Sequence, residues 1–227
     1  MSSRRGPVPR IVPYPHPALR YLSRIVTQID DDLRASVRTM FELMYEARGI
    51  GLAANQVALP FRFFILNVTA DPAQPDQELV FINPVIVKRH SSIEDEEGCL
   101  SFPGVYTKVR RAKKIRVRGF DLQGQEIDLE AEDLLSRAIQ HELDHLDGKL
   151  FIDFAGPIAK ATLSVKLREF ETKFRQAQNS GAYPKDDALI RRLDAMTIPS
   201  LAEAQQEEVP IVAPPPTPVP TGEPAAG

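Results

Sequence analysis

The order of hydrophobic periodicities along the chain is the feature that most restricts its fold. Helical spacing comes first, a series of strand-like segments follows, and helical spacing then returns twice. The predicted elements are a helix at 31–48, strands at 61–68, 79–88, 105–122 and 126–130 with a turn at 123–124, and helices at 133–148 and 157–178. One helix, then strands, then two helices predicts an α+β fold and not alternating βαβ units.

Composition divides the chain of 227 residues near residue 194. From Asp194 onward there is no Lys or Arg, five residues are acidic, and prolines crowd the end. Such a segment cannot bury enough apolar surface to offset its ordering. We therefore expect one folded unit over residues 1–180. Residues 181–227 are expected to form a linker with a short helix at 186–196, then a Pro-rich, disordered acidic tail.

Charge, cysteine content and hydropathy exclude several classes of protein. A single cysteine cannot form an intramolecular disulfide and fits a reducing compartment. No apolar run approaches the 18 residues or so that span a membrane, and no apolar stretch follows the N-terminal charges as in a secretory signal. A net charge of −3 argues against a generic nucleic-acid binder. We expect a cytoplasmic protein.

The strongest chemical signal is HELDH at residues 141–145, inside a predicted helix. Histidines four residues apart lie on one helical face and can share a metal ion, and Glu142 beside them can handle the proton of water on that metal. Two of the four histidines of the chain fall in this motif, which weakens the alternative that they merely cap or pair. The pattern predicts a metal site.

A catalytic metal site usually has a third protein ligand. The extended HExxHxxGxxH pattern would place that ligand at position 151, which is Phe151, so this class is excluded. Glu169 or Glu171 would serve a thermolysin-like site. Cys99 is the other candidate, because Gly98 beside it permits close backbone approach, although a lone cysteine is more often a small buried apolar group. The residues alone leave these alternatives open.

A third segment, GIGLAANQ at residues 49–56, satisfies the spacing of a dinucleotide-binding loop. That motif needs a strand before it and a helix after it, whereas here a helix precedes and a strand follows, so we reject the cofactor interpretation. The segment is then either a helix end with a tight loop, or a place where small residues let the backbone and the Gln56 amide approach a substrate oxygen.

Together, GIGLAANQ, EGCLS at residues 97–101 and HELDH resemble the three motifs of the peptide deformylase family in their order and separation. YPHPALR at residues 14–20 and the strands between the motifs are also similar to that family. The resemblance covers about residues 8–175, and the ordered trio is far more specific than any single motif.

The resemblance implies a fold and a metal. Antiparallel sheets are expected to pack around a central metal-binding helix that carries HExxH, with an N-terminal helix and a C-terminal helix. Cys99, His141 and His145 are implied as ligands of one divalent metal per chain. The implied native ion is Fe²⁺, with Ni²⁺, Co²⁺ or Zn²⁺ as substitutes.

The resemblance also assigns roles to the remaining residues of the site. Glu142 is implied as the acid and base, and Gln56 and the backbone N–H of Leu100 are expected to face the reacting carbonyl oxygen. The residues expected on the substrate side are Gly51, Ile50 and Glu97, with Glu97 as a carboxylate behind the ligands that pairs with Arg111. Ile50, Leu134 and Ala138 are candidates for a methionine pocket, and ordinary core is as good an interpretation of each.

The implied activity is removal of the formyl group from the N-terminal methionine of newly synthesised polypeptides, with release of formate. The expected partners are N-formyl-methionyl nascent peptides and, transiently, the ribosome, with no membrane and no specific nucleic acid. The basic run at 108–118 and the helix at 157–178 are candidate ribosome contacts, although a solvated charged face is the default for such a strand. The rivals are an HExxH metallopeptidase and a non-catalytic ribosome-associated protein with a structural metal.

Overall fold

The computed structural model describes residues 10–197, which form an α+β structure with antiparallel sheets. Its elements are α1 (Asp31–Glu46), β1 (Gly51–Ala53), β2 (Phe63–Leu66), β3 (Leu79–His90), β4 (Ile93–Gly98), β5 (Tyr106–Arg111), β6 (Lys114–Phe120), β7 (Glu126–Glu132), α2 (Asp133–Leu146), α3 (Pro157–Asn179) and α4 (Asp186–Ala195). Short 3-10 turns lie at Pro17–Arg20, Ala54–Val57, Pro75–Gln77 and Phe151–Phe154. Within this range no helix combines the length and hydropathy needed to cross a bilayer.

The strands form two sheets. Five strands pair in the order β1-β2-β3-β6-β7, and β4 pairs only with β5 in a separate two-stranded hairpin. Every pairing between these strands is antiparallel. Because β4 ends at Gly98, the hairpin delivers the EGCLS segment, with Cys99 as the first residue after the strand.

The strand predicted over residues 105–122 is wrong in one respect, since it is two strands in different sheets. The break lies at Ala112, whose backbone groups bond to side chains of α2 and not to a ladder. Its N–H donates to Gln140 Oε1 at 3.0 Å, and its carbonyl accepts from Gln140 Nε2 and Ser136 Oγ, each at 2.9 Å. Helix α2 thus captures the chain where it passes from the hairpin to the large sheet.

Two helices cover opposite faces of the sheet at β2. Phe63 and Ile65 belong to the core cluster that holds the apolar stripe of α1, whereas Phe64 and Leu66 belong to the cluster that holds the inner face of α2. This strand is therefore buried at every position. The N-terminus of α1 is fixed by Asp30, whose side chain accepts the N–H of Leu33 at 2.9 Å.

The end of the HELDH helix is set by Gly148. Its φ is +68°, and a Cβ at this position would lie 2.6 Å from the carbonyl oxygen of Arg20. Only glycine meets both conditions, so α2 stops two residues earlier and the chain turns toward Phe151–Phe154.

The C-terminal helices pack onto the body. Leu163, Leu167 and Phe170 of α3 line its inner face, against the core cluster that contains Phe102 and Phe151. In α4, Leu189 and Leu193 are buried, and so is Met196 after it. The segment expected as a linker from residue 181 onward therefore contributes side chains to the core. The disordered acidic tail expected from its sequence lies outside the described residues from position 198 onward.

Candidate metal centre

Two elements bring three metal-ligating side chains to one point. Helix α2 supplies His141 and His145 from one face, and the end of β4 supplies Cys99. Their ligand atoms all lie within 4.8 Å of one another, and Cys99 Sγ is 3.3 Å from His145 Nε2. Within residues 10–197 this is the one cluster of three such donors, so the sequence prediction of Cys99 as the neighbour of the histidines matches the geometry.

The protonation of the two imidazoles fits a cation between them and the thiol. Burial, and then the charge of His141, lower the pKa of His145 well below its usual range, so this ring is neutral. Burial also opposes a charge on His141, but its hydrogen bonds to Cys99 and Glu97 outweigh burial and raise its pKa to about 10. In the metal-free site His141 therefore carries an additional proton, which a divalent cation would displace on binding. A thiolate with two imidazoles suits Zn²⁺ or Fe²⁺ better than Mg²⁺ or Ca²⁺.

Glu97 lies behind the ligands. Its Oε2 is 3.0 Å from Nδ1 of His141, which leaves Nε2 of that ring for the metal side. Arg111 donates to both carboxylate oxygens, at 2.8 and 2.9 Å, as the sequence analysis expected. Burial opposes the charge of Glu97, but the bonds from Arg111 and His141 lower its pKa to about 2. With both oxygens occupied, Glu97 orients His141, and no oxygen is left for a substrate.

Gln56 presents its amide to the same point. Its Oε1 accepts the N–H of Ala53 at 2.8 Å, which fixes which way the amide faces. Its Nε2 then donates toward Cys99 Sγ at 3.3 Å and toward Ser101 Oγ at 3.4 Å. A buried amide N–H donor therefore lies beside the metal ligands.

Glu142 is buried next to Gly51. A Cβ on Gly51 would lie 2.5 Å from Glu142 Oε1, so glycine is needed for this carboxyl to lie against β1. Among residues 10–197, no hydrogen-bond partner reaches Glu142 Oε2. Burial raises the pKa of this carboxyl to about 7, near the value that suits a group exchanging protons at neutral pH.

The other residues predicted for the substrate side lie in different environments. Ile50 is partly buried and Ala138 is buried, and both belong to the core cluster under α2. Leu134, in the first turn of α2, is 51% exposed. The side chain of Leu100 packs on Gly49, where a Cβ would lie 2.6 Å from Leu100 Cδ1.

Sequence reasoning missed Arg137 and Asp144, which belong to the same network. Arg137 donates to Glu97 Oε1 at 2.6 Å, and Arg111 forms a short ion pair with Asp144. Their sequence signal is helical spacing, because Arg137 and Asp144 lie on the same face of α2 as His141.

The carboxylates required by a thermolysin-like site lie elsewhere. Glu169 is exposed on α3, and Glu171 accepts a hydrogen bond from Tyr14 Oη at 2.7 Å. Neither belongs to the cluster formed by Cys99 and the histidines. The metallopeptidase alternative therefore lacks its third ligand.

The site combines a thiol, two imidazoles, a buried carboxyl of raised pKa and an amide donor. Together these groups support metal-assisted hydrolysis. The sequence model described as polypeptide deformylase matches residues 8–161, and the chain belongs to this family. This chain is therefore a metal-dependent hydrolase that removes the N-terminal formyl group from nascent polypeptides.

Individual relatives agree with the family match. A peptide deformylase of Acidobacterium capsulatum is 48% identical over 161 residues, which cover 71% of this chain and 94% of that protein. One of Rhodopirellula baltica is 41% identical over 182 residues, covering 80% of this chain and 90% of that protein. A crystal structure of peptide deformylase from Plasmodium falciparum superposes with a TM-score of 0.72 at 39% identity, over 74% of this chain and 98% of that one.

Proposed function

We propose that deformylation by this chain uses Cys99, His141 and His145 as metal ligands, Glu142 as acid and base, and Gln56 with the Leu100 N–H as oxyanion donors. The observation that carries this proposal is the convergence of the three ligand atoms within 4.8 Å, beside a buried carboxyl. When bound, a divalent cation supplies Lewis acidity that polarises a carbonyl and makes water nucleophilic near neutral pH.

Glu142 moves the proton. The attacking water must lose a proton and the departing amine must gain one, and a carboxyl with a pKa of about 7 can do both in turn. Its Oε2 has no partner in the described chain, so it is available to take the proton. Gly51 leaves the room beside this carboxyl that any other residue would fill.

Gln56 and Leu100 stabilise the negative charge that develops on the formyl oxygen. The bond from Ala53 holds the Gln56 amide with its N–H groups toward the site before any substrate binds, so the donor is oriented in advance. The Leu100 N–H, on the residue directly after Cys99, would supply a second donor. Ile50 would contribute apolar surface for the methionine side chain.

A direct test of the activity compares two reactions of the metal-loaded protein. Formate release from a formyl-Met-peptide should be fast, whereas cleavage of an internal peptide bond in an unformylated peptide of the same length should be undetectable. Internal cleavage with no formate release would instead support a peptidase.

We propose Fe²⁺ as the native ion, one per chain, with Ni²⁺, Co²⁺ or Zn²⁺ as substitutes. The donor set alone suits zinc, and the affinity order also favours zinc over ferrous iron. An ion held by Cys99, His141 and His145 would also have to accommodate the substrate oxygen and water, which ferrous iron would do more readily than zinc. Stripped protein reloaded without oxygen should turn over faster with iron than with zinc. Air should then inactivate the iron form, because Cys99 can oxidise. Equal and air-stable rates would contradict this choice.

We propose that α3 makes any transient ribosome contact, and that the enzyme acts in the cytoplasm on emerging chains. The basic strands are largely neutralised, since Lys114 pairs with Glu130 and Glu132, and both Arg116 and Arg118 pair with Asp128. On α3, no ion pair within the described chain involves Lys160, Lys166 or Lys173.

Charge reversal tests this surface. Replacing Lys160, Lys166 and Lys173 by Glu should abolish co-sedimentation with ribosomes and leave formate release from a short peptide within about twofold. Binding by the unaltered chain should also fall steeply with salt. Loss of binding on reversing Lys114 and Arg116 instead would assign the contact to the strand face.

A further inference from the structure

Arg137 is a buried cation whose position the deformylation scheme does not use. It lies on α2 one helical turn before His141, and its side chain is 10% exposed. Long charged side chains are rarely buried without partners, so the contacts of this one need an account.

Within residues 10–197, the hydrogen bonds of its guanidinium lead from α2 to the β4–β5 hairpin. Nη1 donates to Glu97 Oε1 at 2.6 Å and to the carbonyl oxygen of Val109 at 3.0 Å, and Nη2 donates to the carbonyl oxygen of Ile93 at 3.2 Å. Val109 lies on β5, and Ile93 and Glu97 lie on β4. One guanidinium therefore binds both strands of the hairpin.

This connection matters because the ligand set is divided between the same two elements. His141 and His145 are on α2, whereas Cys99 follows β4, and among the strands of residues 10–197 the hairpin has no pairing to the large sheet. The distance from Cys99 to the histidines therefore depends on side chains that join hairpin and helix. Arg111 makes one such link, from β5 to Asp144, and His141 makes a second, to Glu97 on β4. Arg137 adds a third, from α2 to both strands of the hairpin.

Glu97 has a hydrogen-bond donor on each oxygen without Arg137, although Arg111 is shared with Asp144. Arg111 already donates to both oxygens of Glu97. What Arg137 adds is a fork that reaches two backbone carbonyls and the carboxylate at once, which a lysine ammonium cannot reproduce with the same geometry.

We propose that Arg137 is a positioning residue of the metal centre, which clamps the β4–β5 hairpin to α2 and so holds Cys99 at ligand distance from His141 and His145. This inference rests on the ligand set proposed above. It assigns to Arg137 an effect on metal affinity and on thiolate coordination that a merely structural residue would not have.

The test uses the full chain, stripped and titrated with Co²⁺ and Zn²⁺ against a chelator. Arg137→Met should weaken binding of both ions by about 10- to 100-fold, as for other residues that orient ligands, and should reduce the thiolate-to-cobalt absorption band. Arg137→Lys keeps the charge, so its melting temperature should stay close to that of the unaltered protein while its affinity still falls about tenfold. Arg62→Met is the matched control, because Arg62 joins Asp147 and the Pro84 carbonyl without touching the hairpin. Its affinity and absorption band should not change.

The outcomes separate this inference from the proposed function. Absence of the thiolate band in the unaltered protein would contradict the ligand set itself. A normal band there, with unchanged affinity in the Arg137 variants, would overturn only the role of Arg137. Full rescue by lysine would do the same, since it would reduce Arg137 to a neutralising charge. If Arg137→Met does not fold, the affinity of Arg137→Lys decides.

Discussion

The carboxyl of Glu142 lies where burial and nearby charge act in opposite directions. Burial and the carboxylate of Glu97 disfavour its ionisation, and the positive charge of His141 favours it. Burial prevails in the metal-free chain, and the pKa rises to about 7 from an ordinary 4.5. A side chain in this position is ready to exchange a proton, at a cost in stability whenever it must ionise.

That cost predicts a pH dependence of stability in the metal-free protein. Because the folded pKa of Glu142 exceeds the unfolded one, its contribution is fully present below pH 4.5 and is lost as the pH rises through 7. Glu142→Gln stays neutral throughout, so the difference in unfolding free energy between the two chains should change over this window, by on the order of 3 kcal/mol at most. Urea titrations at several pH values measure it. A parallel pH profile for the two proteins would contradict the raised pKa.

The same residue separates catalysis from metal binding. Glu142→Ala should keep about one equivalent of metal and lose most of its turnover, since Glu142 is not among the clustered ligand atoms. His141→Ala, His145→Ala and Cys99→Ala should arrive depleted in metal. Metal analysis beside formate release distinguishes the two classes, and a metal-free Glu142→Ala protein would refute the assignment.

Gln56 has two separable duties, and two variants separate them. Gln56→Leu removes the donor toward the site and also the Oε1 acceptor of the buried N–H of Ala53, so it should lower kcat by about 10²- to 10³-fold and stability by about 1–3 kcal/mol. Gln56→Glu keeps an acceptor for Ala53 and loses the donor. It should lower kcat by a similar factor, and its buried carboxyl should cost stability only where the pH ionises it. If kcat is unchanged and KM rises, Gln56 acts only in the ground state.

At the scale of elements, the sequence predicts the helices and strands that show hydrophobic periodicity and misses those that do not. α1 and α3 show helical stripes, and both were placed within about two residues. β1 is only three residues long and wholly buried, and the letters of β4, IEDEEG, lack apolar alternation. β4 pairs with β5 along its whole length, with opposite charges such as Glu94 and Arg110 across the pair, and no single-segment pattern reveals such a partner.

The candidate site divides in the same way. His141 and His145 follow from helix spacing, but the residues alone leave Cys99 as one of three candidates, with Glu169 and Glu171. The three motifs considered together, through their family resemblance, select Cys99. Arg137 was invisible because an arginine in a helix normally lies in solvent, and its burial depends on a hairpin that the sequence did not predict. Long-range packing, and not local preference, decides such positions.

For the molecule as a whole, α4 joins the two ends of the described chain. Arg24 donates to the carbonyl oxygens of Leu193, at 2.9 Å, and Met196, at 2.6 Å, so it caps the end of this helix. The Tyr21 hydroxyl donates to Asp194 at 2.7 Å. Tyr21 and Arg24 directly follow the 3-10 turn at Pro17–Arg20, so these contacts attach the N-terminal part of the described chain to α4.

Two truncations and two point variants test how far the folded unit extends. Deletion of residues 198–227 should leave the melting temperature and formate release from small peptides nearly unchanged. Deletion of 186–227 removes the buried Leu189 and Leu193 and also the carbonyl acceptors of Arg24, so it should lower the melting temperature by roughly 5–15 °C while formate release at 25 °C stays within a few-fold.

Leu193→Ala should cost about 2–5 kcal/mol, whereas Ile190→Ala, on the same helix but 41% exposed, should cost under about 0.5 kcal/mol. If Leu193→Ala is as harmless as Ile190→Ala, α4 is not docked in solution and the folded unit ends near residue 180.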